Sequence, residues 1–222
     1  GSLTPELSFA ILRSYGLPLV KSLVVADADE AIARASEVGY PMVVKVASRQ
    51  ISHRSDVGGV VLGVADGVAL RDALATIARN VARAAPHAQI DGFELQEQVV
   101  ADAEAMLGFA AAAPLGTLMV VGSGGTMVEL LADRAVELAP LEVQQTLAML
   151  RQTRLGKLLD GYRNLLPRTE LAPLAAALQA LSDLAMDLGD LIGACDLNPV
   201  LVRKGTGEVH IVDALLVAQG AR

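Results

Sequence analysis

The sequence predicts a mixed α+β fold in two lobes. Helix and strand signals alternate through the first part of the chain, three strands follow one another directly in its middle, and it closes on a β-hairpin. Thr4-Pro5-Glu6 opens a helix, with Thr4 as N-cap and proline at the first helical position, and Gly16 ends it. Asp27 caps a second helix, Glu30 completes a capping box and Gly39 closes it. Pro41 to Ala47 reads as a strand, a polar loop follows, and a further strand runs from about Val60 to Val64. Val68 to Ala85 has helical periodicity. Phe93 to Val99, Glu104 to Ala110 and Thr117 to Val121 read as successive strands. Leu141 to Leu150 and Leu171 to Leu188 are helical. Ala194 to Arg203, a turn at Lys204-Gly205-Thr206-Gly207, and Glu208 to Val212 form the hairpin. Gly1-Ser2 reads as a cloning remnant and is set aside.

Bulk properties narrow the function classes. Of 222 residues, 53% are hydrophobic and 19% charged, enough to bury a full core. Aromatic residues are only 3%, so aliphatic side chains and alanine must fill it. A formal net charge of -7 argues against a nucleic-acid surface, which needs a basic footprint. It leaves room for a small phosphate site, which uses few charges and many backbone amides. The single cysteine, Cys195, excludes an internal disulfide and fits a reducing, cytoplasmic setting. No signal-peptide pattern is visible. The uncharged run from Ala105 to Val128 imitates a membrane span, but Gly108, Pro114, Gly116, Gly122, Gly124 and Gly125 punctuate it as strands and turns, so no membrane partner is expected.

Two constellations carry chemistry. In "PMVVKVAS", Lys45 stands inside an apolar strand. An unpaired buried ammonium is costly, so such a lysine aims its amine at a cleft, a carboxylate or a phosphate, or else packs its stem and snorkels to water. The next loop, "ISHRSDVGGV", adds Gly58-Gly59, whose amides suit an anion, the fixed positive fork of Arg54, and His53. A neutral imidazole is the side chain that takes and gives a phosphoryl group near neutral pH, although a lone loop histidine is more often a plain surface residue. At the other end, "CDLNPVLV" holds Asp196 and Asn198, and "HIVDALL" holds Asp213. A hairpin turning at 204–207 sets Asn198 roughly opposite Asp213, two hard oxygen donors of the kind magnesium takes. They are equally a strand end and a cap.

The chain resembles the ATP-grasp domain of NDP-forming acyl-CoA synthetases, the beta-subunit type of ADP-forming acetyl-CoA synthetase, related to the beta subunit of succinyl-CoA synthetase. The likeness runs from "ELSFAILRSYGLPL" to "HIVDALLVA" and is strongest in "GYPMVVKVAS", "ISHRSDVGGV", "FELQEQVVADAEAMLGF", "GSGGTMVELLADRAVELAPL", "LLDGYRN" and "CDLNPVLV". It implies an ATP-grasp domain over residues 3–222, with a lobe at roughly 20–100, a second at roughly 101–222, and nucleotide held between them. It implies that Lys45, Arg54, Gly58 and Gly59 hold phosphates of ATP or ADP. Gln96, Glu97, Gln98 and Val99 would form a strand whose backbone reads adenine, and Glu104 would bond ribose. Asn198 and Asp213 would bind Mg2+. His53 would be the phosphoryl carrier, and Asp196 the carboxylate that steadies it. CoA-binding and ligase domains, on another subunit or elsewhere in a fused chain, would be the partners, with self-association left open. The chain departs from the pattern at Ala113, at Glu137 and at Asn164, where glycine usually follows "GYR". Two other classes remain: a catalytically silent regulatory module of a fused protein acetyltransferase, and an ATP-grasp carboxylate–amine ligase. The retained His53, Asn198 and Asp213 separate the chain from the first, and His53 from the second.

Overall fold

A computed structural model of the chain describes residues 1–51, 53–125 and 132–220. Ser52 and residues 126–131, which fall within two of the quoted motifs, lie outside the described residues. The chain divides into two compact units, one formed by residues 20–99 and the other by residues 1–19 with 100–222.

The larger unit begins with helix α1 (Pro5–Ser14), whose first turn is closed by the Thr4 hydroxyl accepting from the Leu7 N–H at 3.3 Å. Gly16 follows its end at φ 74°, a left-handed position that costs glycine nothing. The chain then builds the smaller unit: β1 (Ser22–Val25), α2 (Ala28–Val38), β2 (Met42–Ala47), β3 (Val60–Val64), α3 (Gly67–Ala84) and β4 (Gly92–Glu97). The sheet order is β1-β4-β2-β3, and every ladder is antiparallel. β1 and β2 therefore run the same way with β4 inserted between them, and β3 and β4 run the same way around β2. The β-α-β units legible in the sequence are real but interleaved, so among the described residues of this unit no parallel ladder forms. Helices α2 and α3 cover one face. Met42, Val44 and Val46 of β2, with Phe93 and Leu95 of β4, meet Ala31, Leu70, Leu74 and Ile77 there. Asp27 accepts from the Glu30 N–H at 2.9 Å, but the Glu30 carboxylate closes on the Ala26 N–H at 2.8 Å, one residue earlier than a capping box requires.

The larger unit resumes with β5 (Ala103–Ala112), β6 (Gly116–Ser123), β7 (Arg134–Leu138), α4 (Val143–Gln152), α5 (Arg154–Leu159), α6 (Ala172–Leu188), β8 (Ile192–Val202), β9 (Val209–Ile211) and β10 (Leu215–Ala218). Its antiparallel sheet has the order β10-β8-β5-β6-β7, and β9 also pairs with β8. Leu107, Phe109, Met119, Val121, Leu197 and Val200 of the sheet pack with Leu150, Leu174, Leu178 and Leu181 of the helices in its core. The uncharged run that imitates a membrane span is largely the β5–β6 hairpin, and no helix among the described residues is long and apolar enough to cross a membrane. Ser2 bridges Val217, and the Gly1 carbonyl accepts from the Ala218 N–H at 2.9 Å, so the first residues take part in the fold. Asn164 stands at φ 56°, a left-handed position that glycine occupies freely and asparagine tolerates.

Strands β1, β7 and β10 and helix α5 lack a counterpart in the sequence reading. Each has four to six residues, too few for periodicity to emerge. Helix α5 is instead built by side-chain caps. Thr153 accepts from the Gly156 N–H at 2.9 Å, and the Asp133 carboxylate accepts from the N–H groups of Arg154 at 2.7 Å and Leu155 at 3.0 Å. Asp133 also accepts from the Ser123 hydroxyl at 2.6 Å, tying the end of β6 to the start of α5. Burial alone would raise the Asp133 carboxyl, but the bonds from Ser123, Arg154 and Leu155 outweigh it and hold it below its ordinary value. A lowered carboxylate stabilises the fold above its unfolded-state pKa, and the stabilisation is lost as pH falls through the folded value. Asp133→Asn should therefore cost about 1–2 kcal/mol at neutral pH. In thermal melts the gap between parent and variant should narrow below about pH 4. A gap that stays constant down to pH 2 contradicts the assignment.

Candidate functional site

The period of two along β2 and β4 places residues on opposite faces of the smaller unit's sheet. Met42, Val44, Val46, Phe93 and Leu95 face the helices, which leaves Lys45, Glu94 and Gln96 on the other face. All three are buried, at 7%, 3% and 1% exposure. Lys45 lies directly opposite Glu94 in the ladder, and Val43 opposite Gln96. The Gln96 amide donates to Glu94 Oε1 at 3.2 Å, and Arg54 Nη1 donates to Glu94 Oε2 at 2.8 Å. The structure thus gathers Lys45, Arg54 and Gln96 around Glu94, a residue absent from the sequence-derived set. Its signal is present in "FELQEQ": Glu94 and Gln96 alternate with the apolar Phe93 and Leu95, and share the face of Lys45.

The loop between β2 and β3 has an internal scaffold. Ile51 is buried in the core, and His53 is exposed. The Asp56 N–H donates to the His53 carbonyl at 3.2 Å, Gly58 N–H to the Ser55 carbonyl at 3.0 Å, and Gly59 N–H to the Arg54 carbonyl at 2.8 Å. The amides of Gly58 and Gly59 are thus engaged inside the loop, which differs from a phosphate cradle with outward-pointing donors. The glycines answer to backbone geometry and close packing. Gly58 has φ 64° and its carbonyl accepts from the Asn80 amide at 3.0 Å. A Cβ at Gly59 would lie 2.6 Å from Val46 Cγ1 and 2.9 Å from the Arg54 carbonyl.

Strand β4 ends at Glu97, so the expected strand over Gln96–Val99 covers only its first two residues. The Glu97 carboxylate accepts from the Lys21 N–H at 3.3 Å, and the Glu97 N–H donates back to the Lys21 carbonyl at 2.9 Å. Gln98 turns its side-chain carbonyl onto the Gly63 N–H at 2.6 Å, where Gly63 at φ 70° breaks the β2–β3 register. Val99 lies just past the ladder, partly buried.

In the larger unit, Glu104 is exposed on β5 and its side chain lies so close to Gly125 that a Cβ there would overlap the carboxylate. The Gly125 N–H donates to Asn198 Oδ1 at 2.8 Å, which links the β5–β6 side of the sheet to β8. Val200 opposite Ile211 and Asp196 opposite Leu215 belong to one continuous register, which sets Asn198 opposite Asp213. Asp213 accepts from the Ala214 N–H at 3.0 Å. Loss of water around Asp196, and then the charge of Asp213, push the Asp196 carboxyl up. A carboxylate that a neighbouring negative charge pushes up gains from a cation, and Asn198 keeps a second lone pair for one. Among the described residues no group of three or more His, Cys, Asp and Glu side chains is poised for a metal. A two-ligand site of this kind suits magnesium, which keeps waters and takes its remaining oxygens from phosphates.

The sequence matches the ATP-grasp domain family over residues 1–217. It is 36% identical over 207 residues to the 4-hydroxybutyrate–CoA ligase [ADP-forming] of Nitrosopumilus maritimus, covering 93% of this chain but only 29% of that protein. It is 31% identical over 207 residues to the acetate–CoA ligase [ADP-forming] I subunit beta of Pyrococcus furiosus, covering 93% of this chain and 88% of the subunit. The fold superimposes on the dinucleotide-forming acetyl-coenzyme A synthetase 1 of Ca. Korarchaeum cryptofilum, in complex with coenzyme A, Ca-AMPCP and HgCl+, with TM-score 0.89 and 30% identity over 98% of this chain and 93% of that one. Another structure of that synthetase, with coenzyme A and Mg-AMPPCP, has its phosphohistidine segment pointing towards the nucleotide binding site. Its TM-score is 0.82 at 28% identity, over 98% of this chain and 93% of that one.

The loop geometry makes its own prediction. Gly59→Ala should destabilise the unliganded protein by about 1–3 kcal/mol, because the added methyl must displace Val46 or the Arg54 carbonyl. An unchanged melting temperature in the absence of nucleotide would show that close packing does not select this glycine.

Proposed function

Because the chain belongs to the ATP-grasp family, with the beta subunits of ADP-forming acetate–CoA ligases, we propose that it is the nucleotide-binding and phosphoryl-transfer part of an ADP-forming acyl-CoA synthetase. One observation carries the reading: an exposed histidine sits on a loop whose next residue, Arg54, reaches the buried row that holds Lys45. In this reading a ring nitrogen of His53 attacks the terminal phosphorus of a nucleoside triphosphate. The new P–N bond forms as the bond to the bridging oxygen breaks, and the diphosphate leaves with that electron pair. Run in reverse, phosphohistidine made from an acyl phosphate returns its phosphoryl group to the nucleoside diphosphate. Lys45 and Arg54 offset the charge on the phosphates, and Gly58 and Gly59 shape the loop that delivers His53.

The remaining assignments follow the same division. Gln96 to Val99 serve the adenine through the backbone past the last ladder pair, with Glu97 fixed beside them by Lys21. Glu104 takes the ribose hydroxyls, and Asp196 is the carboxylate that orients the phosphorylated ring. Asn198 and Asp213 hold magnesium, which when bound neutralises phosphate charge. Acyl phosphate and CoA chemistry belongs to CoA-binding and ligase domains. One relative is a longer chain of which this one covers 29%, and the other is named a beta subunit, so such domains can stand in the same chain or on another subunit. The lone buried Cys195 suits a cytoplasmic enzyme.

Calorimetry with ATP or ADP and Mg2+ should show binding, and nucleotide should raise the melting temperature by mass action. Asn198→Ala and Asp213→Ala should weaken the magnesium-dependent binding by roughly tenfold or more, about 1.4 kcal/mol, with the fold intact. Parent protein given labelled ATP should gain an acid-labile, base-stable phosphoryl group that His53→Ala lacks, while the variant binds ATP as the parent does. Absence of nucleotide heat at millimolar concentration would refute the proposal, and a label retained in His53→Ala would refute the relay.

A further inference from the structure

Glu94 has no task in that function, although two side chains, Arg54 and Gln96, bond its carboxylate in the buried row. It lies opposite Lys45 on one side and opposite Val24 on the other, and receives bonds from Arg54 and Gln96. A carboxylate this deep costs several kcal/mol unless cations and donors surround it. One of those cations is carried by the loop that bears His53. The start of that loop is tied separately: Arg49 and Gln50 bond Asp91 and Gln89. Its end is tied by Gly59, whose carbonyl accepts from Val46 N–H at 2.7 Å. Between these anchors the Arg54–Glu94 pair is the ionic contact, among the described residues, that fastens the histidine's own turn to the sheet.

We infer that Glu94 is a positioning residue: by holding Arg54 it sets the His53 turn against the sheet, in register with Lys45, for phosphoryl transfer. The inference rests on the proposed phosphoryl-transfer function. Charge explains why an acid should serve a phosphate site. Lys45 and Arg54 without Glu94 would place two positive charges on the row; Glu94 reduces the net charge to one. It therefore opposes phosphate binding slightly while improving alignment. Arg54 has five N–H donors in a rigid fork, and the Glu94 contact uses one, so the same guanidinium can stay on Glu94 and meet a phosphoryl group on the neighbouring residue. A residue that only stabilised the fold would affect binding and transfer together. A positioning residue separates them.

The test uses the intact chain, labelled ATP and Mg2+, with Glu94→Gln, Arg54→Gln and the double variant. Single-turnover labelling of His53 should slow by roughly tenfold to a hundredfold in Glu94→Gln. Its ATP affinity, measured by calorimetry, should be unchanged or tighter. The double variant should be no slower than the slower single variant, since the pair acts as one unit. Hydrogen exchange at the Asp56, Gly58 and Gly59 amides should quicken in both single variants, with α3 unchanged. Labelling of Glu94→Gln at the parent rate, multiplicative effects in the double variant, or unaltered exchange at the turn would each overturn the inference while leaving the phosphoryl-transfer reading standing. A parent that neither binds ATP nor labels His53 overturns both. If Glu94→Gln fails to fold, Arg54→Gln decides through the same exchange and rate measurements, because its side chain is partly exposed.

Discussion

The structure of the smaller unit depends on one constraint, the period of two along strands β2 and β4. These are the interior strands of the sheet, so both of their faces are buried. One face must be apolar to receive α2 and α3, and the other carries Lys45, Glu94 and Gln96. A slip of one residue would exchange the faces of the strand that slips, driving the Lys45 ammonium of β2 or the Glu94 carboxylate of β4 into the aliphatic core and turning apolar side chains outward. The partners of Glu94 guard against this, because Arg54 and the Gln96 amide reach its carboxylate only when β4 keeps that residue on the polar face. The helical cover, the register and the polar row are thus one decision.

The larger unit uses a different device. Strand β8 is long enough to pair with β5 along one edge and with β9 and then β10 along the other. The two short strands keep a single register across the gap between them, and that gap is where Asn198 and Asp213 face each other. At that interruption the Ala214 N–H turns to the Asp213 carboxylate. Gly125 makes a similar concession on the opposite side: its missing side chain admits the Glu104 carboxylate, and its N–H fixes the Asn198 carbonyl.

Much of this was legible in the chain. Proline after threonine, Asp27, Gly39, and the alternating "FELQEQ" and "MVVKVA" runs each act over a few residues, so their meaning survives without the rest of the fold. Lys45 could be singled out because one charged residue in an apolar strand is locally anomalous. Glu94 escaped notice because its significance is a distance to Arg54, forty residues away. The glycine pair at 58–59 was legible as a need for small residues, but not as to its cause: a phosphate and a valine methyl group exclude a Cβ equally well. Strands β1, β7 and β10 are short, and only their partners make them strands. Asp133 reads as one more surface acid until Ser123 and α5 are brought to it.

The order in which the two units use the chain has a consequence for synthesis. The smaller unit draws every strand and helix from the continuous run Val20–Val99, so it can complete its core as soon as that run has left the ribosome. The unit that contains α1 cannot, since Leu12 and Leu17 belong to a core whose other buried members run from Ala105 to Leu216. Helix α1 must therefore wait, solvated, while the continuous unit folds. Slow decoding or misfolding late in translation would leave one finished unit and one open sheet, with β8 exposed along the edge that β9 and β10 should cover, and such an edge invites a foreign strand.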